Sequence, residues 1–170
     1  MTVFEAIKKR YSCRTYLDKP IEQEKLDTIF EAARQAPSAK NLQDWRFVVV
    51  TDRERKQKVA DCTNHSEAFG QAGAMIAACS VCKEAMRCGQ QIAPIDVAIA
   101  LEHIALAATE LGLATCWIGS FDTEKARQIL EIPKDVAIIE LMALGYPANG
   151  SRQTTREPMK NIVCYDKWRF

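Results

Sequence analysis

A chain of 170 residues with 48% hydrophobic content is long enough for one domain with its own core and too short for two. The 23 Lys and Arg residues nearly balance the 22 Asp and Glu residues, and the resulting net charge of +1 argues against a nucleic-acid or membrane-surface binder, which needs a basic excess. Seven scattered cysteines predict reduced thiols, and the lack of a signal-like or membrane-spanning pattern leads us to expect a cytoplasmic protein.

Hydrophobic periodicity, caps and breakers divide the chain into alternating helices and strands. In chain order, the sequence predicts a capped helix over residues 6–10, a helix from Ile21 to the stop at Pro37, a loop over 38–45, a strand over 47–50, a helix over 53–62 behind an Asp52 cap, a strand over 74–78, a helix over 95–111 ended by Gly112, a strand over 116–118, a helix over 123–130 behind an Asp122 cap, and a strand over 136–144.

The helix predicted over residues 95–111 is unusually apolar. Asp96, His103 and Glu110, spaced seven apart, mark one narrow polar stripe, and most other positions are hydrophobic. A helix of this kind has to be buried on most sides. Because one small domain rarely encloses a helix so fully, we expect part of its surface to pack against a second subunit.

The first candidate site is Arg10-Tyr11-Ser12-Cys13-Arg14, directly after the first helix. Arginine presents a planar fork that matches phosphate oxygens, and serine adds a neutral donor. A solvated basic surface is the alternative interpretation of these five residues taken alone. None of the seven glycines has the spacing of a dinucleotide fingerprint or a P-loop, so side chains would have to hold a phosphate, with Arg152 or Arg156 as the distant partner.

Two further segments combine small, amide and aromatic side chains. In the loop from Ala36 to Trp45, Asn41 and Gln43 could pair with the alternating donors and acceptors of a heteroaromatic ring edge. In residues 112–119, Gly119 permits close backbone approach and Trp117 could wall a flat ligand. A capped helix followed by a turn explains the first segment about equally well. A core strand explains the second segment about equally well.

Cys79 and Cys82, with Cys88 beyond them, have a spacing that metal ligands sometimes use. No fourth ligand is evident, so we expect no metal and favour buried, reduced thiols. His103 is interpreted as a solvated or interface residue rather than a catalytic base.

Taken together, the motifs resemble the FMN-binding nitroreductase family over nearly the whole chain. The most specific part is Arg10-Tyr11-Ser12-Cys13-Arg14 followed by Ala36-Pro37-Ser38-Ala39-Lys40-Asn41-Leu42-Gln43-Asp44-Trp45. Residues 112–119, Leu144-Gly145-Tyr146-Pro147 and Arg156-Glu157-Pro158-Met159 then follow in the same order.

The resemblance implies an α+β fold with a central, mostly antiparallel or mixed sheet and helices on both faces. It implies one FMN-binding domain over residues 1–170 and an intertwined homodimer in which residues 148–170 embrace the partner subunit. The implied activity passes hydride from NAD(P)H through FMN to an electron-poor acceptor such as a nitroaromatic or quinone, in ping-pong order. Another specialised flavin reaction, or a non-enzymatic flavin carrier or sensor, is the alternative.

The resemblance also implies roles for individual residues. Arg10 and Ser12, beside Tyr11, would contact the FMN phosphate with Arg156, and Arg14 would lie at the N1/O2 edge of the ring, where a cation stabilises the charge of the reduced state. The other implied flavin contacts are Pro37, Ser38 and Ala39 from the partner subunit, Asn41 and Gln43 in support, Asn64, and Trp117, Ile118 and Gly119 along the ring.

The sequence departs from the family pattern at three places. Family members often have Pro where Asp44 stands, a second basic residue where Thr154 stands, and a longer middle region. A missing cation at Thr154 could loosen FMN, and a short middle region would leave the substrate face more open.

Overall fold

The structure is a computed structural model that describes residues 1–150 and 154–170. Its elements, in chain order, are helix α1 (Val3–Lys9), helix α2 (Gln23–Arg34), a 3-10 turn (Ala39–Asn41), strand β1 (Trp45–Val50), helix α3 (Arg53–Ala60), helix α4 (Ser66–Gly70), strand β2 (Ala74–Ser80), helix α5 (Ile92–Glu110), strand β3 (Ala114–Ile118), helix α6 (Thr123–Leu130), strand β4 (Ala137–Gly145) and a second 3-10 turn (Met159–Asn161).

The four strands form one antiparallel sheet in the order β1-β2-β4-β3. Every residue of β2 is buried, because this central strand is covered on both faces, as its continuous apolar sequence indicates. Alternate residues enter two separate cores: Met75 and Ala77 pack with α3 and α6, whereas Ile76 and Ala78 pack with α2 and α5. The predicted α+β class, with helices on both faces of the sheet, is confirmed.

Local signals explain most element boundaries. Thr2 and Glu5 form the predicted capping box of α1, and the side chains of Asp52 and Asp122 cap α3 and α6. Gly112 has a positive φ of 77° just after α5, the conformation that ends helices. Helix α4, which has five residues and no side-chain cap, was not predicted.

Helix α5 begins three residues before the predicted start, at Ile92. Pro94 lies in its first turn, where the missing N–H has no helical partner to lose. By length and composition alone α5 could span a membrane, yet half of that stretch is buried within the protein, where the helix packs on the sheet and against α2.

The expected polar stripe of α5 is not one solvent-facing surface. Asp96 is only 3% exposed, and Glu110 is exposed. His103 is half-buried, and its Nδ1 donates a hydrogen bond to the carbonyl of Ala32 at 3.0 Å. Periodicity places these residues on one side of the helix but cannot show which neighbours cover them. Ile95 and Leu106 remain partly exposed, so one side of the helix is incompletely covered by its own protomer.

Gly145, at the end of β4, lies where two backbone segments meet. A Cβ added there would come within 2.7 Å of the backbone nitrogen of Gly73 and 3.0 Å of a ring carbon of Tyr16. We expect Gly145→Ala to lower the free energy of unfolding by about 1–3 kcal/mol, the usual range for overpacking. Urea unfolding measures this, and Gly150→Ala, whose Cβ meets nothing within 4 Å, is the control. Equal stabilities of the two variants would contradict the expectation.

Candidate functional site

Residues 10–17, which we call the N-terminal strap, lie beside the start of β3 and the end of β4. The backbone N–H of Cys13 donates to the carbonyl of Thr115 at 2.9 Å, and that of Leu17 donates to Tyr146 at 2.9 Å. Cys13 and Tyr16 point into the core, whereas Ser12 and Arg14 are exposed. Anchoring the apolar residues therefore fixes the serine and arginine side chains on the outside of the strap.

Tyr11 connects the strap to the chain that follows β4. Its hydroxyl donates to the carbonyl of Asn149 at 3.0 Å, and the Asn149 amide donates to the Thr15 hydroxyl at 3.3 Å. Burial, with the neighbouring Cys13 thiol adding to it, raises the pKa of Tyr11 to about 12, so the hydroxyl keeps its proton and remains a donor. These bonds hold the strap beside the segment that leads toward Arg156.

A cleft of about 570 Å³ lies between the strap and the start of the C-terminal tail (residues 154–170). Its lining residues are Arg10, Tyr11, Ser12, Arg14, Thr154, Thr155 and Arg156. The described lining thus presents three guanidinium groups and several hydroxyls and no carboxylate, a donor set suited to a phosphate dianion. The structure brings together five residues of the predicted site that are up to 146 positions apart in sequence. Arg152 lies outside the described residues.

Two of the three arginines of the cleft, Arg10 and Arg156, have protein partners that restrict them. The Nε of Arg10 lies 3.7 Å from Oε1 of Glu102 on α5, which is an ion pair longer than a hydrogen bond. Burial raises the pKa of Glu102, and the charge of Arg10 opposes that rise. Arg156 donates to the Thr154 hydroxyl and, at 3.1 Å, to the carbonyl of Thr155. The two threonines therefore orient the guanidinium at the mouth of the cleft.

The loop from Pro37 to Gln43 carries five of the predicted site residues and does not line this cleft within one protomer. Ser38 closes the loop, because its hydroxyl accepts from the backbone N–H of Gln43 at 3.0 Å. Lys40, Asn41 and Gln43 have positive φ angles of 52°, 56° and 49°. The loop is therefore held in a strained conformation that displays the exposed Asn41 and Gln43.

The last group of predicted residues lies at the end of β3. Asn64 donates to the Ser120 hydroxyl at 3.3 Å and so lies beside Gly119. Trp117 is half-buried, Gly119 is exposed, and the Ile118 side chain is buried in the core. Any contact that Ile118 makes with a ligand on the surface must therefore use its backbone.

Several residues that shape the site were not predicted as members of it. Thr154 and Thr155 line the cleft, whereas the sequence pattern marks Thr154 only as a missing cation. The two hydroxyl side chains directly before Arg156 are the feature of the sequence that could have identified these residues as part of the site. Glu102 and Asp96 lie on α5 and contact the strap and the loop, respectively, and no local pattern in the sequence pairs them with those segments.

The chain is similar to known proteins in both sequence and structure. The nitroreductase family matches residues 7–66 and 57–146. A nitroreductase family protein from Clostridium difficile 630 is 32% identical, with a TM-score of 0.88 over 99% of this chain and 100% of the other, and one from Clostridium novyi NT is 35% identical, with a TM-score of 0.83 over 88% and 87%. The FMN reductase [NAD(P)H] of Bacillus subtilis is 29% identical over 94% of this chain and 72% of its own length.

Proposed function

This chain belongs to the nitroreductase family, and we propose that it is an FMN-dependent oxidoreductase that passes hydride from NAD(P)H to a small electron-poor acceptor such as a nitroaromatic or quinone. The observation that carries the proposal is the cleft in which Arg10, Arg14 and Arg156 converge. The relative named an FMN reductase [NAD(P)H] supports the cofactor and the donor.

The residues of the cleft fit a mononucleotide phosphate. Arg10 and Arg156 approach from opposite ends of the chain, and the hydroxyls of Ser12, Thr154 and Thr155 add neutral donors. Side chains take the role that backbone amides play in glycine-rich phosphate loops. Family members often have a cation at the position of Thr154, which supplies a hydroxyl instead. The cleft of this protein therefore has one positive charge fewer than theirs, which is consistent with weaker retention of FMN.

The position of Arg14 relative to the phosphate follows from its place on the strap. Residues two apart on an extended segment point to the same side and are separated by about 7 Å, so Arg14 extends the cationic surface from the phosphate toward the ring. FMN held here would supply the hydride-transfer chemistry. Arg14 would stabilise negative charge at the N1/O2 edge of its ring, and because the position of Arg14 is set by the strap, little reorganisation would be needed during the reaction.

The proposed site is completed by a second copy of the chain. In this arrangement Pro37, Ser38 and Ala39 of the loop reach the flavin bound to the other protomer, and Asn41 and Gln43 support it. Trp117 and the backbone of Ile118 on β3, the following Gly119, and Asn64 beside Ser120 line the ring. Of the C-terminal extension, residues 154–170 wrap around the partner, and the incompletely covered side of α5 packs at the interface between subunits.

The proposed turnover is ping-pong, in which the nicotinamide leaves before the acceptor binds at the same open face. A flavin enzyme with another specialised reaction, or a flavin carrier without turnover, is the alternative. We place the protein in the cytoplasm, where NAD(P)H is supplied and where its seven unpaired thiols stay reduced.

The colour of the purified protein tests the proposal directly. We expect a yellow protein with a flavin absorbance band that NADH or NADPH bleaches and that a nitroaromatic or quinone restores. A colourless protein that takes up no added FMN would refute the cofactor. A yellow protein that neither nicotinamide bleaches would favour the carrier.

A further inference from the structure

A further cleft, of about 410 Å³, lies just beyond the strap, between the start of α2 and the start of α3. We call it the Lys56 cleft, and its polar lining residues are Asp18, Lys19, Gln23, Thr51, Arg53 and Lys56. None of them is among the described lining of the cleft between the strap and the C-terminal tail. The proposed flavin site therefore leaves this group of side chains without a role.

The position of Lys56 on α3 explains why it is buried. Lys56, Val59 and Ala60 are the buried residues of this helix, and their spacing places them on one face. The backbone N–H of Lys56 donates to the carbonyl of Asp52, the cap residue, at 2.9 Å. A hydrophobic side chain is the usual occupant of such a face, so a lysine there adds a charge that packing does not require.

The ammonium group of Lys56 has no partner among the described residues. The residue is only 5% exposed, although it lines the cleft. Within residues 1–150 and 154–170, the hydrogen bonds and ion pairs of lysine ammonium groups do not include one from Lys56. Removing an ammonium group from water without a compensating contact is costly. An anion in the cleft would supply the missing contact.

The rest of the polar lining also favours an anion as the ligand. Arg53 and Lys19 add two cations, whereas Asp18 is the single carboxylate of the described lining. The Nη2 atom of Arg53 lies 3.5 Å from Oδ2 of Asp18, and both side chains are exposed, so this ion pair is weak. Lys19 lies 3.5 Å from Glu22, which does not line the cleft. Arg53 can therefore exchange its partner for an anion that also contacts Lys56.

We propose that the Lys56 cleft binds a phosphate group, with Lys56 as its principal cationic ligand and with Arg53 and the Thr51 hydroxyl as further donors. The arginine fork matches phosphate oxygens, and a threonine hydroxyl adds a neutral donor. Thr51 and Arg53 lie at the start of α3, where the helix dipole also favours an anion. The phosphate is free or belongs to a small metabolite, since the cleft has the volume of a small-molecule site. The site does not depend on bound flavin.

The electrostatics of Lys56 agree with this assignment. Burial lowers the pKa of its ammonium group below the ordinary value of 10.5, the charge of Asp18 opposes the fall, and the charge of Arg53 adds to it. Asp18 therefore does not make up for the lost hydration. A phosphate bound beside Lys56 would raise this pKa, and less of the free amine that reacts with acylating reagents would remain.

Calorimetric titration with inorganic phosphate tests the site, in full-length protein saturated with FMN and at an ionic strength held constant with chloride. Lys56→Met keeps a long apolar side chain and should weaken phosphate binding by about 10- to 100-fold, the range for losing a hydrogen-bonded contact between charged groups. Asp18→Asn removes a like charge and releases Arg53, so it should tighten binding by up to about fivefold. The control Lys58→Met removes an exposed lysine of the same helix that does not line the cleft, and it should leave the affinity unchanged.

The cleft between the strap and the tail also presents arginines to a phosphate, so wild type, Lys56→Met and Arg10→Ala are titrated without FMN as well. The proposed site should be present in Arg10→Ala and absent from Lys56→Met. Loss of phosphate binding in Arg10→Ala alone, equal losses in Lys56→Met and Lys58→Met, or weaker binding in Asp18→Asn would overturn the proposal.

Glycerol 3-phosphate distinguishes the two sources of the phosphate in the same titrations. Tighter binding than that of inorganic phosphate, lost in Lys56→Met, would identify a metabolite ester as the ligand. Equal or weaker binding of the ester, with inorganic phosphate bound and lost in Lys56→Met, would identify free phosphate. A wild-type protein that binds neither compound would overturn the site itself.

A measurement on the wild type covers the case in which Lys56→Met folds poorly. Acetic anhydride acetylates free amines, and mass spectrometry of the digested protein reports each lysine separately. Saturating phosphate should slow acetylation of Lys56 about tenfold, which is the loss of free amine that follows when a pKa rises by about one. Acetylation of Lys58 should not change. Equal effects on the two lysines, or no effect on Lys56, would refute the proposal.

Discussion

Arg10→Ala should weaken FMN binding by about 10- to 100-fold, the range expected for losing a hydrogen-bonded contact between charged groups. Arg10 lines the cleft next to Ser12, and in the proposed site its side chain would contact the FMN phosphate. Arg14→Ala should retain FMN better and slow its reduction, because a cation at the ring edge acts mainly on the reduced state. Flavin fluorescence gives the dissociation constants, and stopped-flow absorbance with NADH or NADPH gives the reduction rates.

A matched control for both variants is Arg55→Ala, an exposed arginine on α3 that does not line the cleft. It should leave flavin affinity and reduction unchanged. Equal losses of FMN from Arg10→Ala and Arg14→Ala, with unchanged reduction rates in both, would contradict the proposal that Arg10 binds the phosphate and Arg14 assists reduction of the ring.

Trp168→Ala should shift the protein strongly from dimer to monomer. Trp168 is 80% exposed in the protomer and packs edge-on against Phe170, and other large apolar residues of the tail, Met159, Ile162 and Tyr165, are exposed as well. Exposed apolar side chains in such number mark a surface that docks on a partner. A tryptophan at the centre of an interface contributes about 2–4 kcal/mol, so the dimer dissociation constant should rise about 30- to 1,000-fold.

Sedimentation velocity across micromolar concentrations measures this shift. Trp168→Phe keeps an aromatic ring and should lose much less affinity, and Lys134→Ala, an exposed residue of the turn between α6 and β4, should have no effect. A wild-type protein that sediments only as monomer at these concentrations would refute the proposed dimer and, with it, the contribution of the loop to the other protomer's flavin.

Much of the fold was predictable because its signals are local. Asp52 and Asp122 each precede a helix as caps, and the run from Val136 to Leu144 reads as a strand whatever its neighbours are. The predicted start of α5 was three residues late, because the periodic pattern begins at Ile95 whereas the helix includes Pro94, which a first turn tolerates. Helix α4 was missed because five residues offer too little periodicity to detect.

The candidate site was predictable in its residue types and only partly in its arrangement. The chemistry of a phosphate site pairs Arg10 with Arg156, and the cleft brings these two side chains together. Asp96 was placed on a polar stripe because periodicity reports only which side of a helix a residue occupies. Its contact with Ala39 depends on how α5 packs against a loop far earlier in the chain, and no local pattern encodes that packing.

The bond from Tyr11 to Asn149 spans 138 positions, and Arg156 lies farther along still. A ribosome makes the strap at the outset, yet the strap has no partner for its tyrosine until almost the entire polypeptide has emerged. Closing so long a span is slow and occurs late relative to nearby contacts. The cleft that we propose for the phosphate is consequently among the final features to assemble during biosynthesis, and a truncated translation product that ends before Arg156 would lack one of its three guanidinium groups.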